Sequence, residues 1–98
     1  MRIRYSPRAA KDLEEIHDYL IQRSAKGAVN VLTAIYASAE FIRRHSAAAQ
    51  ATDFPGIRAM VVQRYRFKIF YRVLDDEGVM EIVHIRHTSR RSWPNDPG

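Results

Sequence analysis

The feature that most constrains the fold is a change of hydrophobic period halfway along the chain. Between residues 7 and 44 apolar residues return every three or four positions, and after residue 56 they return every two. Those are the side-chain periods of a helix and of a strand, and one segment cannot satisfy both. From Pro7 to about Arg23, Ala9, Leu13, Ile16 and Leu20 make one apolar stripe, with Lys11, Asp12, Glu14, Glu15 and Asp18 elsewhere around the wheel. After a short break at Ser24-Ala25-Lys26-Gly27, Ala28, Leu32, Ile35, Ala39 and Ile42 repeat the pattern to about Arg44. A connection this short makes the two helices an antiparallel hairpin.

Residues 45 to 56, HSAAAQATDFPG, lose the periodicity and end on a turn signal. Three strand-like runs follow, IRAMVVQ (57 to 63), RFKIFYRVL (66 to 74) and VMEIVHIRH (79 to 87), reversed at Arg64-Tyr65 and at Asp75-Asp76-Glu77-Gly78. At the amino end, Met1, Ile3 and Tyr5 alternate with polar residues and predict a further strand. Ser6 before Pro7 is an N-cap followed by proline at the first helical position. The order β-α-α-β-β-β predicts an α+β domain in which the helical hairpin covers one face of a small, mainly antiparallel sheet. The expectation is a single domain over residues 1 to 92 and a short tail over 93 to 98; where the first strand joins the sheet is left open by the pattern.

Composition narrows function mainly by exclusion. With no cysteine, thiolate zinc sites, disulfides and thiol nucleophiles are out, and a reducing cytoplasm is the expected location. No apolar run is long enough for a secretory signal or a membrane helix. The net charge of +5 is carried by thirteen arginines and only three lysines. Arginine presents a planar fork suited to phosphate and carboxylate, so an acidic partner is expected, whether nucleic acid or protein.

His84 and His87 are three apart on a strand and point to opposite faces, so they do not form a metal pair without a bulge, and neither metal nor cofactor is expected. There is no Gly-x-Ser-x-Gly elbow and no glycine-rich phosphate loop. The acidic runs Glu14-Glu15 and Asp75-Asp76-Glu77 read as structural. What remains is a basic and aromatic concentration on the strands. Arg66, Lys68, Phe70 and Arg72 share one face of the middle strand and Phe67, Ile69, Tyr71 and Val73 the other, while His84 and Arg86 lie together on the last strand, as do Ile85 and His87. Arg90 and Arg91 follow, and Tyr65 and Trp93 flank the cluster. Such a face can grip phosphates and even cleave RNA without metal, by base, acid and cation; it can equally bind a protein or be a solvated surface.

Set beside this element order, the chain resembles the RelE/ParE superfamily of toxins from bacterial type II toxin-antitoxin pairs. The resemblance spans nearly the whole chain and rests on Gly56 and Arg58 entering the second strand, on the Tyr-Arg-x-x-x-x-Tyr-Arg pattern of Tyr65, Arg66, Tyr71 and Arg72, and on His87 and Arg90 at the end. It implies a small toxin held in a hetero-oligomer by a cognate antitoxin whose acidic, extended segment packs across it. ParE-like members inhibit DNA gyrase; RelE-like members cleave mRNA in the ribosome. The neutral to acidic stretch AAAQATDF and the single strand lysine, Lys68, depart from the RelE-like pattern, and the gapless IRAMVVQRYRFKIFYRV hairpin and the His-Thr-Ser-Arg ending resemble the ParE-like branch more closely. Under that reading no residue is catalytic, and Arg58, Tyr65, Arg66, Tyr71, Arg72, His87, Arg90, Arg91 and Trp93 are expected to meet the target or antitoxin. Under the ribonuclease alternative Arg66, Lys68, Arg72 and Arg86 hold phosphates and His84 or His87 donates the proton. A third alternative is an inactive member that only binds antitoxin.

Overall fold

The computed structural model describes residues 1–62 and 64–88. Strand β1 (Arg2–Tyr5) leads into α1 (Pro7–Ile21) and α2 (Ala25–Arg44), followed by β2 (Gln50–Ala51), β3 (Arg58–Val62), β4 (Phe67–Leu74) and β5 (Val79–His87). The five strands form one mixed sheet in the order β1-β5-β4-β3-β2. The predicted class and helix-on-sheet layering are therefore observed, with three differences.

The first concerns the helical hairpin. Ser24 is not part of a loose break: its hydroxyl accepts from the Gly27 amide at 3.0 Å and caps α2, so Ala25, Lys26 and Gly27 form the first helical turn. The connection shrinks to three residues, 22 to 24, and α1 stops at Ile21 rather than near Arg23. The second is β2, a two-residue strand inside the stretch read as loop, paired Gln50 to Ala59 and Ala51 to Arg58. Two residues are too few to show a period, and only the β3 edge makes them a strand.

The third settles the open question of β1. It runs parallel to β5, with Arg2 opposite Val79 and Tyr5 opposite Ile82. Ser6 ends this pairing and starts the helix. Its amide donates to the Ile82 carbonyl at 2.9 Å, and its hydroxyl accepts from the Ala9 amide at 3.0 Å while donating to the Val83 carbonyl at 3.0 Å. One side chain thus caps α1 and ties it to β5.

Val83 is also where β5 departs from strict alternation. Phe70 pairs with His84 and Tyr71 with Ile82, leaving Val83 as an extra residue, a β-bulge. Without it, Met80, Ile82, His84 and Arg86 would share a face, mixing core and cation. With it, Met80, Ile82 and Ile85 all join the core, alongside Ile69, Tyr71 and Val62 from the neighbouring strands and Ala9, Val31, Ile35, Ala39 and Ile42 from the helices. His84 and Arg86 turn to the face away from the helices, where they meet Phe70 and Lys68.

Candidate functional site

The sheet face away from the helices carries most of the predicted site, and three carboxylate or cation groupings divide it. Glu81 stands opposite Arg72 in the register. Its Oε1 accepts from Arg72 Nε at 2.9 Å and Nη2 at 2.8 Å, and its Oε2 from Arg4 Nε at 3.2 Å. The second arm of Arg4 reaches Glu77 at 3.2 Å. Arg72 therefore places two donors on one carboxylate oxygen, and Arg4 takes the other.

His84 is 2% exposed and stacks on Phe70 with ring centres 5.7 Å apart. Its Nδ1 lies 2.7 Å from Asp12 Oδ2, and the same oxygen accepts the Ile85 amide at 2.9 Å. Asp12, 9% exposed, sits where β1 has ended and the β5 edge would otherwise be unpaired. The apolar stripe alone puts Asp12 elsewhere around the wheel, and the structure corrects this by burying it against β5. The signal was present in the spacing, since residue 12 lies three after Ala9 and four before Ile16 and so on their side of α1.

Arg86 and Lys68 form the third grouping. Arg86 is 4% exposed, its guanidinium carbon lies 5.8 Å from the Phe70 ring centre, and Lys68 Nζ lies 5.9 Å from the same ring. Both line a groove of about 480 Å³, walled by the segment from Ala48 to Asp53 and by Ala59 and Val61.

The remaining predicted residues lie elsewhere. Tyr71 is fully buried on the helix side, and its hydroxyl donates to the Ser46 carbonyl at 2.6 Å. Burial pushes that hydroxyl's pKa up, partly countered by nearby Arg58. Arg58 donates through Nη1 to the Ala49 carbonyl at 2.8 Å, anchoring the segment that carries β2. These two side chains hold structure in the isolated chain. Arg66 is exposed at the tip of the β3–β4 turn, where it and Arg64 have φ of 58° and 78°. Tyr65 and His87 meet at a second groove of about 710 Å³ between α1 and the sheet, with Ile16, Tyr19, Leu20 and Phe67. His87 contacts the Phe67 ring edge-on at 5.4 Å. His84 and His87 are thus on opposite faces, as the period required. Arg90, Arg91, Trp93 and the tail lie outside the described residues. Among the described residues there is no group of three or more His, Cys, Asp or Glu that could hold a metal ion, and no helix long and apolar enough to cross a membrane.

A helical hairpin on a five-stranded mixed sheet, with parallel first and last strands, is the RelE/ParE-type toxin fold. The chain is similar to a chain of the chromosomal ParDE TA system from P. aeruginosa, with a TM-score of 0.76 at 22% identity, over 89% of this chain and 95% of that one. It is similar as well to a chain of the intact E. coli RelBE toxin-antitoxin complex, with a TM-score of 0.61 at 10% identity over 88% and 94%. The isolated E. coli RelE toxin matches with a TM-score of 0.63 at 12% identity, over 94% of this chain and 87% of that one. No curated protein matches the sequence. The family model described as the ParE toxin of the type II toxin-antitoxin system, parDE, matches residues 3–92, and the chain belongs to that family.

Proposed function

We propose that this ParE-family toxin acts by inhibiting DNA gyrase rather than by cutting RNA, and that a cognate antitoxin neutralises it in a hetero-oligomer. The observation that carries this reading is that the groups a metal-free ribonuclease would use are already engaged or separated. His84 is enclosed with its Nδ1 on Asp12, and Arg72 is held by Glu81. His87, the other candidate acid, lies on the opposite sheet face from Lys68 and Arg86. Acid-base catalysis needs acid and cation within hydrogen-bond reach of one phosphate, and this layout supports binding more than catalysis. For the partner, support comes from the family and from the groove between α1 and the sheet, whose Ile16, Tyr19, Leu20 and Phe67 suit an apolar segment that orders on binding.

The chain expressed alone should arrest growth, and co-expression of the adjoining antitoxin frame should restore it. Purified toxin should abolish supercoiling by gyrase, with no new codon-associated 5′ ends in cellular mRNA. Such ends, with supercoiling intact, would replace this reading with the ribonuclease one. Accumulation of the folded protein without growth arrest would leave only the antitoxin-binding role.

A further inference from the structure

The Lys68–Arg86 groove contains an electrostatic demand that the described residues do not meet. Arg86 Nη1 donates to the His87 carbonyl at 3.0 Å, but its Nε is buried with no hydrogen-bond partner. Among the described residues neither Lys68 nor Arg86 belongs to an ion pair, although every other grouping on this face does. A guanidinium does not shed its proton to escape burial, as a lysine or histidine can. A buried, unpaired cation is costly, and a bound carboxylate or phosphate oxygen removes that cost. The Phe70 ring is the shared floor beneath both cations, and the groove opens above it.

The walls bear on which of the two kinds of anion fits. Ala48, Ala49, Ala51, Ala59 and Val61 are small and apolar, and Gln50, Thr52 and Asp53 are the polar residues among them. A phosphate backbone would present charge every few ångströms, and among the described residues only Lys68 and Arg86 face it here, because Arg72 on the same face is committed to Glu81. One carboxylate flanked by small apolar side chains matches better. We propose that this groove docks an Asp or Glu side chain of an extended protein segment, its carboxylate on the Arg86 guanidinium and Lys68 Nζ, and, resting on the toxin-antitoxin reading above, that the segment belongs to the antitoxin.

Binding of the antitoxin to the toxin, measured calorimetrically, tests this through a double-mutant cycle. Arg86→Gln should raise Kd at least about 30-fold, the lower range for removing one member of a buried charge pair. Lys68→Gln, at a half-buried site that tolerates exchange, should raise it a few-fold and keeps the test valid if the Arg86 variant misfolds. Neutralising one particular Asp or Glu of the antitoxin should reproduce the Arg86 loss and add little to it in the double variant. Unchanged affinity in both toxin variants, or losses that simply add for every antitoxin acid, would overturn the groove assignment and leave the toxin reading intact. A second arm needs no antitoxin: a capped Ala-Val-Asp-Ala peptide should shift the Arg86 Nε–Hε resonance of the toxin alone, and the Asn counterpart should not. A shift with inorganic phosphate but not with the Asp peptide, or with neither, would overturn the proposal.

Discussion

Asp12 and Glu81 both hold β5, and they do so with different partners. Asp12 comes from the helix layer; one oxygen accepts from a backbone amide and faces a buried histidine ring at the bulge, and the other lies 3.5 Å from half-exposed Arg8. Glu81 belongs to β5 itself and is shared by two arginines whose side chains remain 45% and 47% exposed. The first carboxylate fixes where helix and sheet meet. The second decides which arginines are left for a partner. The buried contacts of Asp12 contribute more to stability than pairs with half-exposed arginines, because water and salt screen the arginines and not the buried amide. The face away from the helices consequently has a neutralised end, at Arg4, Glu81 and Arg72, and a positive end, at Lys68 and Arg86.

The largest expected break in this comparison is Asp12→Ala, which strands the Ile85 amide and removes the partner of His84. We expect a loss of about 3 kcal/mol in urea unfolding; a loss below about 1 kcal/mol would show that the bulge does not depend on the carboxylate. Next comes Tyr71→Phe, which removes the buried bond to Ser46 and should cost about 1–2 kcal/mol. It also has a pH signature. The folded state holds the Tyr71 proton above the ordinary phenol range, so this contribution is full below the unfolded pKa, about 10, and is lost as pH rises through the folded value. Tyr5, raised by burial and by Tyr36, acts in the same direction, so Tyr71→Phe should flatten but not abolish the alkaline loss in a pH series of melting curves.

Glu81→Gln sharpens the contrast rather than breaking it. It releases Arg72 and Arg4 and should make the two ends of the face alike, seen as later elution from phosphocellulose. Asp12→Asn, which alters a carboxylate enclosed in the helix–sheet junction, should shift elution less; equal shifts would mean that Arg72 was already available. The smallest effect lies at the hairpin tip, away from both carboxylates. Arg64 and Arg66 occupy the left-handed region, and Arg64→Gly should stabilise by about 0.5–1 kcal/mol by relieving that conformation. No gain in denaturation midpoint would mean that the arginine side chain contributes as much as the strain costs.

Much of this architecture was legible because it is written in local periods. The Ser6-Pro7 start, the stripes of both helices and the three long strands each follow from spacing that any nearby core would enforce. Gly56 and Gly78 mark turns with φ of 79° and 63°, where a side chain is disfavoured. The site was less legible. Alternation placed His84 with Arg86 and set His87 apart, and the register agrees. It gave no sign that Arg72 is neutralised while Lys68, four positions earlier on the same face, is not. Glu81 went unremarked because a lone acid in an apolar run has no local partner. The mixed polarity of VMEIVHIRH under strict alternation was the available hint of a bulge at Val83.

The sequence by itself determined the order of the longer elements, the class of fold and the family, because hydrophobic period, caps and turns act over a few residues and are read in place. Only the tertiary structure decided that β1 lies parallel to β5, that Asp12 turns inward, and that Glu81 takes Arg72 while Arg86 has no ion pair among the described residues. Those contacts join residues up to 77 positions apart, and a charge's environment depends on what the fold brings beside it rather than on its neighbours in the chain.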